Sequence, residues 1–509
     1  MHICLINPPM DGAQIPENEL YKYDESIFSM QHLGLGYVAS SLIKDGYDVD
    51  IVECPLQNLK VKDLLKLIAL KSYDAIGISA YYYNIKNVAR IVSKIKNINE
   101  KPFVFCGGYF PTLQTETIFD ILPQLDCVVL GEGELTSVAL LNALKNNLPL
   151  KDVPGIAYID NGKVIINKPL HIIENLDTLP FPVRVINDNI KFFSVITTRG
   201  CYNSCSFCSI KNFYSFCTDR IRSRSLANVI VEINEIIKFN PYMIKFPDEV
   251  FITHSQKRRQ WIKEFCEYIL TNKIQIKFNI QIKATDIKGN EDLLLLLKKA
   301  GLTYVFVGIE SFSKRQLNYY NKRTSVQQNI SALQVLKALD ISYLFGFMLL
   351  DPYSTKNDLV ENLHNLKYHD IISGVNIRQN LISSNILEAI PGTLIYDNLL
   401  KKGMLQQEAP GYQFNDPQIS VFDNYRKKWI EKIKPLDHYL FYNGLKNEFD
   451  RNEENAKQFS RVRRKLLQLD LDYLIDLLII GQFDDVKMSD TLKKYYSNYL
   501  KLSEIAGLH

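Results

Sequence analysis

Three cysteines, Cys201, Cys205 and Cys208, follow an apolar run at residues 192–196 with the spacing Cys-x-x-x-Cys-x-x-Cys. Cysteine thiolates are the usual ligands of iron–sulfur clusters, and three of them leave one iron of a four-iron cube without a protein ligand. A bound molecule can chelate that iron and receive an electron from it. The triplet therefore predicts redox chemistry at a metal centre.

The same residues allow one alternative, a structural zinc site with Cys217 or a distant histidine as the fourth ligand. Structural zinc sites close all four positions and usually take their cysteines in pairs. The triplet does not supply such pairs, and Phe207 stands between the last two cysteines. The spacing therefore favours the cluster over zinc.

Short apolar segments alternate with helical patterns from the N-terminus to about residue 150. This alternation predicts an α/β domain with a Rossmann-like, doubly wound parallel sheet over residues 1–150. Ligands of such sheets bind beyond the carboxyl ends of the strands. The predicted ends carry a set of polar residues, prolines and glycines: Asn7, Pro8, Ser79, Tyr81, Gly107, Gly108, Gly131, Glu132, Gly133 and Glu134.

The rest of the chain divides into three further regions. Residues 151–190 contain a hairpin pattern and a proline-rich connector, which we interpret as a linker. Residues 191–400 alternate again, with strands predicted at 193–197, 243–246, 277–282, 304–308, 343–350 and 375–381. Residues 401–509 are charged and show amphipathic periodicity, which predicts a helical C-terminal region.

Composition narrows the class of protein. A chain of 509 residues is too long for one hydrophobic core, so several domains are expected. The net charge of +4 is too small for a dedicated nucleic-acid binder, and we expect no nucleic-acid partner. Nine cysteines, an odd number, argue against a secreted disulfide framework. With no basic N-terminal region and no apolar stretch of membrane-spanning length, we expect a cytoplasmic protein without a membrane partner.

The cysteine triplet, with an aromatic residue before the third cysteine, resembles the signature of radical S-adenosylmethionine (SAM) enzymes. The resemblance implies a partial (β/α)6 TIM-type barrel over residues 191–400, in which the three cysteines ligate a 4Fe–4S cluster and SAM chelates the open iron. It further implies reductive cleavage of SAM to a 5′-deoxyadenosyl radical, which removes a substrate hydrogen. An electron donor such as flavodoxin or ferredoxin is implied as a partner.

The same resemblance implies a set of SAM-binding residues. Phe207 would lie beside the adenine, and Asp248 or Glu249 would contact the methionyl amino group, with a helix-capping role for Asp248 as the alternative. Lys283 would pair with the SAM carboxylate unless it is a surface lysine. Glu310 would accept hydrogen bonds from the ribose hydroxyls, since an ionised carboxylate is purely an acceptor.

The strand ends of the N-terminal domain resemble the cobalamin-binding domain of one large radical SAM subclass. The most specific match is the string Gly131-Glu132-Gly133-Glu134-x-Thr136. The resemblance implies that the strand-end residues named above surround a corrin and its nucleotide tail. The loop at residues 10–14 lacks the histidine with which methionine-synthase-type domains ligate cobalt, and we interpret His32 as a capping or solvated residue. If cobalamin binds, we expect cobalt without a histidine on its lower face.

The resulting hypothesis is cobalamin-dependent radical methylation of an unactivated carbon on a small-molecule, natural-product or peptide-type substrate. One alternative is a cyclase or rearrangement enzyme of the same two-domain type that gives no net methylation. A less favoured alternative is a methylthiotransferase, whose second cluster would need three further cysteines such as Cys4, Cys54 and Cys106. No catalytic residue beyond the cofactor ligands is predicted.

Overall fold

The computed structural model describes residues 1–10, 30–97, 102–168, 172–186, 191–217, 219–376, 378–406, 411–450, 452–480 and 484–505. The loop at 10–14 that lacks a histidine therefore lies almost wholly outside the described residues. The chain divides into two compact units. The first comprises Met1–Tyr202, Cys208–Lys245 and Ile390–Thr393, and the second comprises Asn203–Phe207, Phe246–Ala389 and Leu394–His509.

Strands and helices alternate along the first unit. In chain order they are β1 (His2–Asn7), α1 (Leu33–Lys44), β2 (Asp48–Glu53), α2 (Val61–Ala69), β3 (Ala75–Ser79), α3 (Ile85–Ile95), β4 (Phe103–Gly107), α4 (Tyr109–Leu113), α5 (Thr115–Ile121), β5 (Cys127–Val129), α6 (Gly133–Lys145), β6 (Ile156–Asp160), β7 (Lys163–Ile166), β8 (Phe192–Ser194), β9 (Thr198–Arg199), α7 (Ile210–Phe213), β10 (Arg222–Ser223), α8 (Leu226–Ile237) and β11 (Met243–Lys245).

The second unit continues the alternation and ends in long helices. Its elements are α9 (Gln256–Thr271), β12 (Phe278–Lys283), α10 (Glu291–Lys299), β13 (Leu302–Glu310), α11 (Lys314–Tyr319), α12 (Val326–Ala338), β14 (Ser342–Phe347), α13 (Lys356–Tyr368), α14 (Leu394–Lys401), α15 (Pro417–Phe449), α16 (Glu453–Ile479) and α17 (Asp485–Ile505).

The N-terminal sheet has seven strands in the order β2-β1-β3-β4-β5-β6-β7. The first five strands are parallel, and their order β2-β1-β3-β4-β5 is that of a doubly wound sheet. The order in which strands are added along the chain reverses between β1 and β3, which is the topological switch point. The predicted Rossmann-like sheet is thereby confirmed. The hairpin β6–β7 pairs antiparallel with β5 at the edge of this sheet. The hairpin predicted in residues 156–166 is therefore present, and it extends this sheet.

Apolar side chains cover both faces of this sheet, as expected for buried parallel strands. Because successive side chains point to opposite faces, Cys4 and Ile6 of β1 pack with helices α2, α3 and α5. Ile3 and Leu5 of the same strand pack with helices α1 and α6. The sheet is thus covered on both faces, and polar side chains and glycines lie at its carboxyl edge.

The second alternation contains five of the six predicted strands in the described residues. Strands β8 and β11 form a parallel pair in the first unit, and β12, β13 and β14 form a parallel set in the second. Among its described residues, the segment predicted as the sixth strand makes only an isolated bridge, between Val375 and Tyr343. The Gln379 side chain supplies hydrogen bonds that a neighbouring strand would otherwise make to β14. Its amide accepts from the Phe345 N–H at 2.8 Å and donates to the Phe345 carbonyl at 3.4 Å.

The C-terminal region is helical, as predicted, and two of its helices bind the backbone N–H and carbonyl of Ser383. Asp470 of α16 is fully buried and accepts hydrogen bonds from Trp429 Nε1 at 2.9 Å and from the Ser383 backbone N–H at 3.0 Å. Arg426 of α15 donates to the Ser383 carbonyl. These contacts fix α15 and α16 to the chain that follows β14. None of the described helices is both long and apolar enough to cross a membrane.

We expect the stability of this region to depend on the proton of Asp470. Burial raises the pKa of Asp470 to about 6, although its hydrogen bonds with Ser383 and Trp429 lower the pKa. The pKa of an aspartate in the unfolded chain is about 4. Between these values the folded protein holds the proton and the unfolded chain has released it. The free energy of unfolding therefore falls as pH rises from about 4 to about 6, by about 3 kcal/mol, and this contribution is constant above that window.

Urea denaturation followed by tryptophan fluorescence at several pH values tests this expectation. Asp470→Asn should remove the fall, so the difference in unfolding free energy between the natural protein and the variant should change across the window. A difference that stays the same from pH 4 to pH 7 would contradict the assignment.

Candidate functional site

The cysteine loop projects from a two-stranded stem. Strand β9 ends at Arg199, two residues before Cys201, and β10 begins at Arg222, with Arg199 and Arg222 opposite each other in antiparallel register. Gly200 has a φ of +97°, and a Cβ atom there would lie 2.2 Å from the Arg220 carbonyl oxygen. The chain can leave the stem at this point because residue 200 is a glycine.

The donor set on this loop suits an iron–sulfur cluster. All nine cysteines of the chain are reduced thiols, and the three of the triplet are half-buried, while Cys4, Cys54, Cys106, Cys127 and Cys266 are buried. In the described ranges, no group of three or more His, Cys, Asp or Glu side chains is placed so that it could hold a metal ion. The three accessible thiols within eight residues nevertheless are the ligand type and number that a site-differentiated 4Fe–4S cluster requires.

Two lysines lie near Cys205 in the second unit. Burial raises the pKa of the Cys205 thiol, and the positive charges of Lys322 and Lys283 oppose that rise. Lys283, at the end of β12, is only 9% exposed and donates to Asn203 Oδ1 at 3.0 Å. Asn203 Nδ2 in turn lies 3.7 Å from Cys205 Sγ. The predicted site residue Lys283 is therefore not a surface lysine but is tied to the cysteine loop.

Glu310 stands at the end of β13 in an ion pair that the sequence did not predict. Its φ is +66°, a left-handed conformation uncommon outside glycine, and its carboxylate accepts from Lys322 Nζ at 2.7 Å. A Cβ atom at Gly308 would lie 2.6 Å from Lys322 Nζ, and one at Gly346 would lie 3.0 Å from the Glu310 carboxylate. The two glycines, which are opposite each other in the sheet, leave room for the pair.

Lys322 carried no sequence signal, because it follows α11 in a segment without a motif. It is 6% exposed, and its Nζ lies 6.0 Å from the centroid of the Phe207 ring. Phe207 itself packs edge-on against Tyr320, with ring centroids 5.8 Å apart, beside an apolar cluster that includes Leu387 and Ile395. The structure thus brings the predicted residues Phe207 and Glu310 together through a lysine that sequence reasoning missed.

The two adjacent acids after β11 have different environments. Asp248 is fully buried and faces Arg258 Nη2 at 3.5 Å, and that guanidinium lies over the rings of Phe251 and Trp261. Glu249 is half-buried. The next helix, α9, has Ser255 at its N-cap position, so the capping alternative for Asp248 is wrong.

The carboxyl ends of β1, β3, β4 and β5 carry the residues predicted for cobalamin. Asn7 Nδ2 donates to Glu53 at 2.8 Å, and the same carboxylate accepts from the His32 backbone N–H at 3.0 Å. Pro8 is buried next to it. Gly107 ends β4 and Gly108 follows it with a φ of +112°, so a side chain at position 108 would be strained. Glu53, at the end of β2, is completely buried and binds both ends of the β1–α1 connection, and it was missed because no motif marks it.

His32 is a capping residue, as interpreted from the sequence, and the cap fixes its tautomer. The Leu35 backbone N–H donates to His32 Nδ1 at 2.9 Å, so the neutral ring carries its proton on Nε2. That nitrogen lies 2.6 Å from the Tyr81 hydroxyl and 3.0 Å from Ser79 Oγ. Burial lowers the pKa of His32 to about 4, so the ring stays neutral near pH 7. Both ring nitrogens are therefore occupied by protein groups.

Glu132 and Glu134 bind arginines rather than facing an open strand end. Both carboxylates are buried, and they accept hydrogen bonds from Arg199 and Arg222, the stem residues of the cysteine loop. The two carboxylates are thus paired with arginines, and the corrin contact of Glu132 and Glu134 stays a prediction. The neighbouring Gly131 N–H donates to Thr112 Oγ1 at 3.0 Å, which joins the β4 and β5 ends.

The cysteines that a second cluster would need are core residues. Burial raises the pKa of Cys4 and of Cys54 to about 12, and it raises the pKa of Cys106 further. All three belong to the apolar core on one face of the sheet. Cluster ligation requires thiolates, so these positions are poor ligands.

Comparison with known proteins agrees with both halves of the chain. Residues 25–141 match the family model described as B12 binding domain, and residues 195–366 match the model described as Radical SAM superfamily. The first is a cobalamin domain, and the second is the domain that holds a 4Fe–4S cluster with SAM, so the predicted cofactors are confirmed at the level of domains.

Relatives are similar over much of the chain. An uncharacterized methyltransferase of Pyrococcus horikoshii is 30% identical over 431 residues, which are 81% of this chain and 87% of that protein. The anaerobic magnesium-protoporphyrin IX monomethyl ester cyclase of Rubrivivax gelatinosus is 29% identical over 60% of this chain, and the match spans 56% of its own length.

A solved structure has the same fold. The cobalamin-dependent SAM radical enzyme OxsB, with aqua-cobalamin and SAM bound, matches with a TM-score of 0.69 and 21% identity, over 98% of this chain and 84% of that protein. The family-model matches and the methyltransferase relative establish the assignment that the cysteine triplet and the strand ends predicted. The chain belongs to the radical SAM enzymes that carry an N-terminal B12-binding domain.

Proposed function

We propose that this enzyme methylates an unactivated carbon of a natural-product or peptide-type substrate, with cobalamin as the methyl carrier. The observation that carries the proposal is the similarity of four fifths of the chain to a protein named as a methyltransferase. The bound cofactors would supply reductive SAM cleavage and a transferable methyl group. Each methylation would consume two SAM molecules, one giving S-adenosylhomocysteine and the other methionine and 5′-deoxyadenosine, with two electrons from a donor such as flavodoxin or ferredoxin.

Different residues of the second unit would bind the different polar groups of SAM. Glu249 is our choice for the methionyl amino group, because the charge of Asp248 already faces Arg258. Glu310 would accept from the ribose hydroxyls, and Lys322 balances its charge in a largely dry site. Lys283 donates to Asn203 from its ammonium group, and its positive charge would pair with the SAM carboxylate.

The first unit would hold the corrin at the carboxyl ends of β1, β3, β4 and β5. The absence of a histidine ligand to cobalt remains part of the proposal, and the locked tautomer of His32 supports it. Binding of cobalt through His32 Nε2 would require this nitrogen to lose its proton and its contacts with Tyr81 and Ser79. Tyr81 and Ser79, and not His32, are the residues that would contact the corrin.

The methyl-transfer proposal can be tested before the substrate is known. We expect the reduced cobalamin-loaded enzyme, incubated anaerobically with SAM alone, to form about one equivalent of S-adenosylhomocysteine per bound cobalamin, because methylation of the carrier precedes substrate chemistry. The control is free reduced cobalamin with SAM. Formation of 5′-deoxyadenosine without S-adenosylhomocysteine would contradict the proposal.

That contradictory result would favour a second candidate, a cyclase or rearrangement reaction without net methylation. The observation in favour of this candidate is the similarity to the magnesium-protoporphyrin IX monomethyl ester cyclase, which spans 60% of the chain. Such a reaction uses the SAM radical but has no need of a second SAM as methyl donor. The product of SAM consumption therefore distinguishes the two candidates.

Iron analysis and cysteine variants test the cluster assignment. We expect about four irons per chain after anaerobic reconstitution, and Cys201→Ala, Cys205→Ala or Cys208→Ala should abolish 5′-deoxyadenosine formation, because each removes a thiolate ligand. Cys266→Ala, in the buried face of α9, is the control that should keep both the iron and the reaction. About eight irons per chain would instead indicate the two clusters of a methylthiotransferase.

The adjacent acids should give different phenotypes. We expect Glu249→Gln to weaken SAM binding about tenfold or more, since one charge-assisted hydrogen bond contributes about 1.5–3 kcal/mol, with little change in melting temperature. Asp248→Asn should instead lower the melting temperature, because it removes the buried charge that faces Arg258. Equilibrium dialysis with SAM and thermal unfolding measure the two effects, and the opposite pattern would reverse the assignment.

A further inference from the structure

The stem of the cysteine loop places two like charges directly opposite each other. Arg199 and Arg222 are cross-strand partners in the β9–β10 pair, and both are buried. Like charges in that arrangement destabilise a strand pair, and burial increases the cost because water cannot screen them. The stem that carries the three cysteines therefore needs an anionic partner in order to form.

Glu132 and Glu134, at the N-terminus of α6, supply the compensating charges. Arg199 donates from Nη1 to Glu132 Oε1 at 2.8 Å and from Nη2 to Glu134 Oε1 at 2.5 Å. Arg222 donates to both oxygens of Glu132, at 2.8 and 2.9 Å. Two arginines and two glutamates thus form a buried group with no net charge, in which Glu132 is shared by both strands of the stem.

Further contacts hold Glu132 and Arg222 in this arrangement. Arg222 Nη1 also donates to the Ile173 carbonyl at 2.6 Å, and its guanidinium lies 5.4 Å from the centre of the Tyr214 ring. The Ile173 N–H donates to Glu132 Oε2 at 3.3 Å. Burial disfavours the ionised form of Glu132, but Arg222 and Arg199 outweigh it and lower the pKa of this carboxyl. Glu132 is therefore charged at neutral pH.

The same turn also belongs to the carboxyl edge of the N-terminal sheet. Gly131 follows β5 with a φ of +66°, and its N–H donates to Thr112 Oγ1 in α4, the short helix that directly follows the predicted corrin residues Gly107 and Gly108. One side of the Gly131–Glu134 turn thus faces the loops predicted to contact the corrin, and its two carboxylates hold the arginines of the stem. Displacement of this turn would move Arg199, which stands two residues before Cys201.

We propose that Glu132, with Glu134, is a positioning residue for the iron–sulfur cluster, and that this turn couples cobalamin binding to the stability of the cysteine loop. The inference rests on the two cofactors of the proposed function but not on methyl transfer. The coupling is reciprocal, as binding linkage requires: cobalamin protects the cluster, and the cluster strengthens cobalamin binding.

Charge-restoring variants of the whole enzyme test the proposal. Glu132→Gln keeps the shape of the side chain but leaves the buried group with one arginine in excess. Adding Arg222→Gln restores neutrality, because the Arg199–Glu134 pair remains. The mirror pair is Glu134→Gln with Arg199→Gln, which leaves Glu132 and Arg222 together. The second pair carries the test if Glu132→Gln does not fold.

The measurement is the rate at which an iron chelator removes the cluster from anaerobically reconstituted protein, with and without cobalamin and without substrate. In each single variant we expect cluster loss about 10- to 100-fold faster than in the natural protein, the range typical of residues that orient metal ligands. The matching double variant should recover most of that change. Cobalamin should slow cluster loss about fivefold or more in the natural protein and have little effect in Glu132→Gln.

Glu232→Gln is the matched control, because it also removes a buried glutamate that pairs with two arginines of the first unit, Arg184 and Arg224, neither of which is a stem residue. It should lower the melting temperature without accelerating cluster loss. The proposal is overturned if Glu132→Gln loses its cluster no faster than Glu232→Gln, if the double variants recover nothing, or if cobalamin protects the cluster equally in Glu132→Gln. Since no outcome depends on S-adenosylhomocysteine, failure of the methyl-transfer proposal remains a separate result.

Discussion

A charge that leaves water must meet an opposite charge or strong hydrogen bonds, and this constraint organises each part of the site. Glu132 is buried and ionised because two guanidinium groups share it. Asp248 is buried opposite Arg258, and Glu310 is half-buried opposite Lys322. In each case the arrangement of the partner, not the acid itself, determines whether the carboxylate can serve a ligand.

This pairing changes the roles that a motif alone would assign. Glu132 and Glu134 occur in a string typical of cobalamin domains, yet their carboxylates are committed to the stem of the cysteine loop. Glu249 stands beside Asp248 in the chain but lacks its deep burial. Burial thus separates the two adjacent acids: Asp248 faces Arg258 in the interior, and the half-buried Glu249 is the one proposed to meet the cofactor.

Hydrogen bonds also fix the tautomer of His32 at the carboxyl edge of the N-terminal sheet. The cap of α1 takes the Nδ1 lone pair of His32, and the Nε2 proton is thereby directed at the hydroxyls of Tyr81 and Ser79. His32 thereby caps the helix, which is one of the two roles expected for it from the sequence. Gln379 is likewise used for structure, because its amide makes hydrogen bonds to β14 in the place of a sixth barrel strand.

The sequence by itself determined the cysteine triplet, the two alternations of strands and helices, and the family they indicate, because spacing and periodicity are local properties of the chain. It located five of the six predicted barrel strands and the strand-end residues of the first domain for the same reason. The tertiary structure decided the pairings: Lys322 with Glu310, Glu53 with Asn7 and His32, and the stem arginines with the α6 glutamates. These contacts join residues up to 90 positions apart, and no local pattern records which distant partner will neutralise a buried charge.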